Sequence, residues 1–405
     1  MQRITTYLLR SAAMVMAVLL SVSCTKDGEE PRYPHASRVV LVYMAGDNSL
    51  GGYVRDNLDA MRRGLASAPA GSRTIAYVDT PGGNPRLVEI TASGTKTLHA
   101  WPSPHNSASA ATVREVVSLV RTLAPADRYG LVLWSHGLAW MPSWATGYLT
   151  RSKARIGDTW PTTKWFGQDT GENPAGYLDV EQLSEAIPSG VFDWILFDAC
   201  FMASAETLYA LRDKAERIVC SPAEVIADGF PYAEIMAELL RPEPDLRAVC
   251  ATYYRNYADD PRPAYRSATV SLVETSQLEA LVGATASVLG AALATDPEAL
   301  AGMELDRLQP LDRYRRHFLF DMGSVVGELE TRGLVPASLA GAWRAQLART
   351  VIYEAHTPTM LGLALDECCG LSMYVPYADY ADLNEYYRTL DWYRQCYPTD
   401  FETAQ

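Results

Sequence analysis

Two short stretches carry the side chains best suited to covalent chemistry. In FDACFMASAE, residues 197–206, Cys200 closes an apolar run two places after Asp198, and in LWSHG, residues 133–137, His136 is followed by Gly137. A thiol is mostly protonated near neutrality, so a nucleophilic cysteine needs a base or a positive field beside it. An imidazole can take that proton, hold the thiolate as an ion pair, and later protonate a leaving amine. The backbone N–H groups of Gly137 and Cys200 would be the donors to an oxyanion. Each residue alone has a duller reading, because free cysteines are among the most buried residues and a single histidine at a strand end is often structural. Together, each at the end of an apolar run and in the order histidine then cysteine, they favour a nucleophile and its base.

The elements that must deliver them are legible as an alternation. Apolar runs occur at RVVLVYMAGDN (38–48, ending in a polar loop), TIAYVD (74–79), YGLVLWSHG (129–137), FDWILFDAC (192–200) and ERIVCSPAEV (216–225), rich in β-branched residues and apolar on both faces, as in a covered parallel sheet. Between them lie helical stretches with apolar residues three and four apart, such as GGYVRDNLDAMRRGLASA, ATVREVVSLVRTLA, DVEQLSEAI and SAETLYALRDKA. Strand alternating with helix predicts an α/β fold with helices on both faces of a mostly parallel sheet. RLVEITASGTKTLHAW, residues 86–101, reads as a hairpin inserted after the second strand. Sites in such sheets lie at the carboxyl ends of strands. Asp47 and Asn48, Ser135 to Gly137, and Asp198 to Cys200 all fall there. Beyond residue 245 the pattern turns helical, including LAGAWRAQLARTVIYEA, with one late strand expected at GLSMYVPYA.

VYMAGDNSL, LWSHG and FDACFMASAE, in that order, resemble the clostripain family of cysteine peptidases, a caspase-like group in which SHG holds the catalytic histidine and DAC the nucleophile. The resemblance implies a caspase-like three-layer α/β/α sandwich over 38–245, with a mostly helical part over 246–405 packed on it. It implies a His136–Cys200 dyad that hydrolyses peptide bonds through a thioester, cutting after Arg or Lys. Asp198 would lie at the base of the primary specificity pocket, where a carboxylate facing a guanidinium makes a charge-assisted pair; the competing reading makes it a cap for the following helix. Asp228 and Glu224 are further pocket candidates, although SPAE stands where relatives often have a Ser-Glu-Glu run. Asp47 and Asn48 match the first motif, with turn formation as their expected role. Relatives mature by cleavage between the histidine and the cysteine. The Gly-, Pro- and Trp-rich stretch 139–176 offers Arg151 and Lys153 as sites for self-cleavage; an ordinary exposed insertion is the alternative.

Composition bounds the rest. The chain has 405 residues, 48% hydrophobic and 20% charged, which suits a globular protein, and its net charge of −13 argues against a nucleic-acid partner. Residues 1–23 read as an export signal, with two arginines before an apolar stretch and small residues before Cys24. Lipidation of Cys24, with 24–37 as a flexible tether, would place the enzyme on the bacterial cell envelope; a cleaved signal of a soluble exported protein is the alternative. No membrane contact is expected apart from that anchor, and the chain is expected to be monomeric. Seven cysteines show no CxxC spacing, so no zinc site is assigned and disulfide pairing is unreadable. Some relatives require calcium, yet Asp158, Asp169 and Asp179 follow no EF-hand pattern, so no cofactor is expected and no metal ligand is named. LWSHG lacks the first glycine of a serine-hydrolase elbow, which discounts Ser135 as nucleophile. A surface-anchored, catalytically inactive binding protein on the same fold is the remaining rival.

Overall fold

Nine strands form one sheet in a computed structural model that describes residues 33–145, 148, 161–163, 168–171 and 176–397. In chain order they are β1 (Ala36–Ala45), β2 (Ser72–Asp79), β3 (Arg86–Thr91), β4 (Gly94–Ala100), β5 (Ala126–Trp134), β6 (Phe192–Asp198), β7 (Arg217–Cys220), β8 (Thr269–Glu274) and β9 (Val351–His356). Their order across the sheet is β9-β8-β7-β6-β5-β1-β2-β3-β4. The five strands from β7 to β2 run parallel, and antiparallel pairs close both edges. The chain leaves β1 toward β2 on one side and returns to β5 on the other. The strand order therefore reverses beside β1, which is where open α/β sheets open a crevice.

Helices cover both faces. Val40, Val42 and Met44 of β1 point into a cluster with α1 (Gly51–Gly64), and with α5 (Tyr232–Leu239) and α6 (Leu246–Ala258), which precede β8. The alternate β1 residues Val39, Leu41 and Tyr43 are equally buried, so the strand is apolar on both sides as a covered central strand must be. α2 (Ala110–Leu123) leads into β5, α3 (Val180–Ala186) into β6, and α4 (Ala205–Ala210) into β7. Local chemistry sets their starts: the Ser109 and Ser204 side chains accept the backbone N–H of Thr112 and Thr207 at the first turns of α2 and α4.

The register between β5 and β6 matters most for the site. Gly130 lies opposite Trp194, and a Cβ at Gly130 would fall 2.1 Å from the indole, so only glycine admits that ring. The same register sets Trp134 opposite Asp198, leaving His136 and Cys200 each two residues past the end of the ladder.

The chain beyond residue 245 differs from its sequence pattern in three places. The helix expected to run through LARTVIYEA ends at Thr350 as α9 (Ala337–Thr350), and Val351–His356 forms edge strand β9, where the branched Val351 and Ile352 and the aromatic Tyr353 suit a pleat better than a helix. TVSLVE, not singled out in the sequence, is β8, antiparallel to both β7 and β9. The strand expected over GLSMYVPYA reduces to Ser372–Met373, paired with Phe320–Asp321, within a buried extended run. The remaining helices are α7 (Leu278–Thr295), α8 (Met322–Thr331), α10 (Ala381–Tyr387) and α11 (Asp391–Cys396). α7 packs against α9 and α11 on the face that also carries α4.

Candidate active site

Three loops meet at the carboxyl ends of β1, β5 and β6. After β1, the Asn48 side chain accepts the Leu50 N–H at 2.9 Å and donates to the Ala45 carbonyl at 3.0 Å, a local turn of the expected kind. After β5, the Ser135 hydroxyl donates to the same Ala45 carbonyl at 3.0 Å. Ser135 thus ties two strand ends together, a structural duty. His136, 2% exposed, follows it, and its Nε2 lies 3.1 Å from the Ser49 hydroxyl. Ser49 is a neighbour of the imidazole that the sequence did not single out.

The decisive contact is between the second and third loops. A Cβ on Gly137 would lie 1.9 Å from the Cys200 carbonyl oxygen and 2.8 Å from the Cys200 nitrogen. The residue after His136 therefore sits directly against the Cys200 backbone, and any side chain there would push the two loops apart. Cys200 itself is fully buried, and its Sγ accepts the Val225 N–H at 3.1 Å. Phe201 follows with φ of +64°, a left-handed turn residue that is rare outside glycine. The N–H groups of Phe201 and Ala203 bind the carbonyls of Ala223 and Ser221 and fix that turn on the loop after β7. α4 begins only at Ala205, so a turn, not the helix itself, follows the thiol directly.

The acidic residues sort into different environments. Asp198 is fully buried at the end of β6, and its Oδ2 accepts the Tyr232 hydroxyl at 2.8 Å and the Phe230 N–H at 3.4 Å. Burial, then the nearby Asp198, pushes the Tyr232 phenol well above its usual range. The cap of the following helix is Ser204, so Asp198 does not serve there. Asp228 is exposed, 3.9 Å from the Arg262 guanidinium. Glu224 is buried and already matched: Arg313 donates from Nε to one of its oxygens and from Nη2 to the other, the latter at 3.1 Å, and the Thr163 hydroxyl donates at 3.3 Å. That bidentate pair removes Glu224 as an open receptor for a substrate cation.

Residues 161–163 lie along the same loop. The Ala227 N–H binds the Thr162 carbonyl at 2.7 Å, and Thr163 bridges Ile226 in antiparallel fashion. Cys24, Arg151, Lys153 and Asp158 fall outside the described residues. Asp169 receives the Ser107 N–H and hydroxyl at 2.6 and 2.9 Å, and Asp179 the Ser143 N–H at 2.9 Å; they join no cluster of metal-ligating groups among the described residues. Asp79 nearby is pushed up to about 7 by burial and by Asp169, and Asp47 is raised by the same two causes, so this corner is already crowded with negative charge.

A family model described as the clostripain family matches residues 42–393. The chain belongs to the clostripain family of cysteine peptidases. It is similar to the crystal structure of an inactive zymogen C11 protease from Parabacteroides distasonis, at 30% identity over 91% of this chain and 100% of that one, with a TM-score of 0.76. It is also similar to a secreted C11 cysteine protease from Bacteroides thetaiotaomicron in complex with an irreversible peptide inhibitor, at 26% identity over 89% and 99% of the two chains, with a TM-score of 0.72. No curated protein sequence matches it. The fold is accordingly the caspase-like α/β/α sandwich and the protein a peptide-bond hydrolase, which leaves the inactive binding protein without support. In this clostripain-family chain several neighbours of the thiol come from beyond residue 245. Tyr253 has its phenol pushed up by burial and then by Asp198 and Cys200, and Tyr314 by burial, Glu224, Asp312 and Cys200. Tyr253 lies on α6 and Tyr314 next to Arg313 in a loop, and no motif in either stretch marks them.

Proposed function

We propose that this cysteine peptidase cuts after Arg or Lys with Cys200 as nucleophile and His136 as its base. His136 takes the thiol proton, and the Cys200 sulfur attacks the scissile carbonyl. The N–H groups of Gly137 and Cys200 donate to the oxyanion. Collapse breaks the C–N bond, the amine leaves with the proton held by His136, and water attacking the resulting thioester restores the thiol. The observation that carries this reading is the contact of Gly137 with the Cys200 backbone, which joins the loop of the base to the loop of the nucleophile. Asp198 supports the basic preference as a fully buried carboxylate whose neighbours Tyr232 and Phe230 offer neutral donors. A guanidinium or ammonium arriving from a substrate gains a charge-assisted bond there, while a neutral side chain does not. Asp228, exposed, would serve at the rim.

The enzyme is proposed to be exported by residues 1–23 and anchored through Cys24, in keeping with a relative described as secreted. It is proposed to mature by cutting itself within 139–176, at Arg151 or Lys153. Residues 161–163 run alongside 224–227, next to Val225, which holds the thiol. Severing the chain before them would free that edge for an extended substrate. The test is hydrolysis of short amides ending in Arg, Lys, Asp or Leu by the wild type and by Cys200→Ala, before and after controlled nicking in 139–176. Turnover of the basic substrates alone, absent in Cys200→Ala, is expected; turnover of the acidic or apolar ones at the same rate would overturn the specificity.

A further inference from the structure

Far along the sheet from the reacting thiol, edge strand β9 presents Glu354 and His356 two residues apart, hence on one face. They lie opposite Ser271 and Thr269 of β8. The loop 368–370 crosses that face, fixed by the Ser271 hydroxyl donating to the Gly370 carbonyl at 2.6 Å. It passes so close that a Cβ on Gly370 would lie 3.1 Å from Glu354 Cγ. The crossing carries Cys368 in. One ligand atom each from Glu354, His356 and Cys368 lies within 4.8 Å of the other two, and all three side chains are half-buried. His356 Nδ1 and Glu354 Oε1 are already 2.7 Å apart.

We propose that Glu354, His356 and Cys368 form a zinc site. Thiolate, imidazole and carboxylate are the three donor types that zinc accepts, and three protein ligands leave a fourth tetrahedral position for water. The donor set argues against calcium and magnesium, which take oxygen ligands. Binding would release the thiol proton and replace the His356–Glu354 contact with two bonds to the ion. The adjacent Cys369 is not a ligand. Its Sγ accepts the Gly323 N–H at 3.3 Å, and its own N–H donates to Asp321 at 2.6 Å, so it is turned into the start of α8. The site also lies on a path to the catalytic loop. Four residues after Cys368, the Ser372 N–H binds the Ala203 carbonyl at 3.1 Å, and Ser372 bridges Ser204. Zinc would thus hold the loop that backs the turn after Cys200.

The test is carried out on full-length Cys200→Ala, so that the catalytic thiol cannot contribute. Titration with Co2+ is expected to give a thiolate-to-cobalt charge-transfer band saturating at one equivalent, and Zn2+ is expected to displace it. Adding Cys368→Ser should abolish the band, whereas Cys369→Ser should keep it. His356→Gln should weaken Zn2+ by more than the ~10–100-fold that loss of an outer-shell partner costs. Thermal unfolding without metal checks that each variant is folded, and zinc should raise the midpoint of Cys200→Ala but not of its Cys368→Ser derivative. No band in Cys200→Ala, or a band that survives Cys368→Ser in a folded protein, would overturn the site.

Discussion

The two ends of β6 carry aspartates with opposite fates. At the amino end, Asp193 meets the chain's own cations: fully buried Arg38 donates to it at 2.7 Å and also to the Pro242 carbonyl, and Arg128 approaches at 3.4 Å. Burial lowers the Arg38 pKa, and the bond to Asp193 opposes that shift. At the carboxyl end, Asp198 meets a phenol and a backbone N–H, and two residues later comes the thiol. One end matches its charge internally and closes the sandwich. The other holds a buried carboxylate against a phenol and a backbone N–H, two residues before the cysteine proposed as the nucleophile. Glu224 shows how close the two cases can lie, since it neighbours the thiol's loop yet is matched by Arg313.

Substitutions at the two ends should separate activity from stability. The largest effect is expected for Cys200→Ala, which should lower amide hydrolysis by roughly 10⁴-fold or more with its unfolding midpoint unchanged, measured by steady-state kinetics beside a thermal melt. Asp193→Ala should do the reverse: leaving Arg38 buried beside no carboxylate should cost about 3–5 kcal/mol in denaturant unfolding, with turnover per folded molecule preserved.

Glu206 on α4 sharpens the contrast, because burial lifts it to about 7 although it accepts the Tyr374 N–H and the Tyr387 hydroxyl. A raised carboxyl holds its proton in the folded chain and loses it when unfolded, so stability should fall as pH rises from about 4.5 to about 7 and level off above. Unfolding at pH 5 and pH 8 should show Glu206→Gln relieved of about 2 kcal/mol of this loss. Asp198→Asn should lower kcat/KM by ~10–100-fold for Arg and Lys substrates, the worth of a charged hydrogen bond, and leave neutral substrates unaffected. The smallest change is expected for Ser49→Ala, under ~10-fold in kcat with KM unaltered, since the hydroxyl only orients His136.

Much of this end of the molecule was readable in the residues. β1, β5 and β6 are apolar on both faces and end in polar clusters, so the approach of the loop after His136 to the Cys200 backbone follows from strand order and register. β9 was not readable, because its first residues continue the apolar spacing of α9 and only edge pairing with β8 decides against helix. The pairing of Glu224 with Arg313 joins residues 89 apart through two loops, and no local pattern records such a contact. Asp198 ends β6 as the apolar run suggests, but its partner Tyr232 lies beyond the next strand, and its burial depends on α5 folding over it.

The account rests on His136 activating Cys200, and covalent labelling tests that most directly. A peptidyl electrophile ending in Arg, incubated with the nicked enzyme and mapped by mass spectrometry, is expected to modify Cys200 and none of Cys220, Cys250, Cys368, Cys369 or Cys396. His136→Ala should lose that labelling. An adduct on another cysteine, or undiminished labelling of Cys200 without His136, would contradict it.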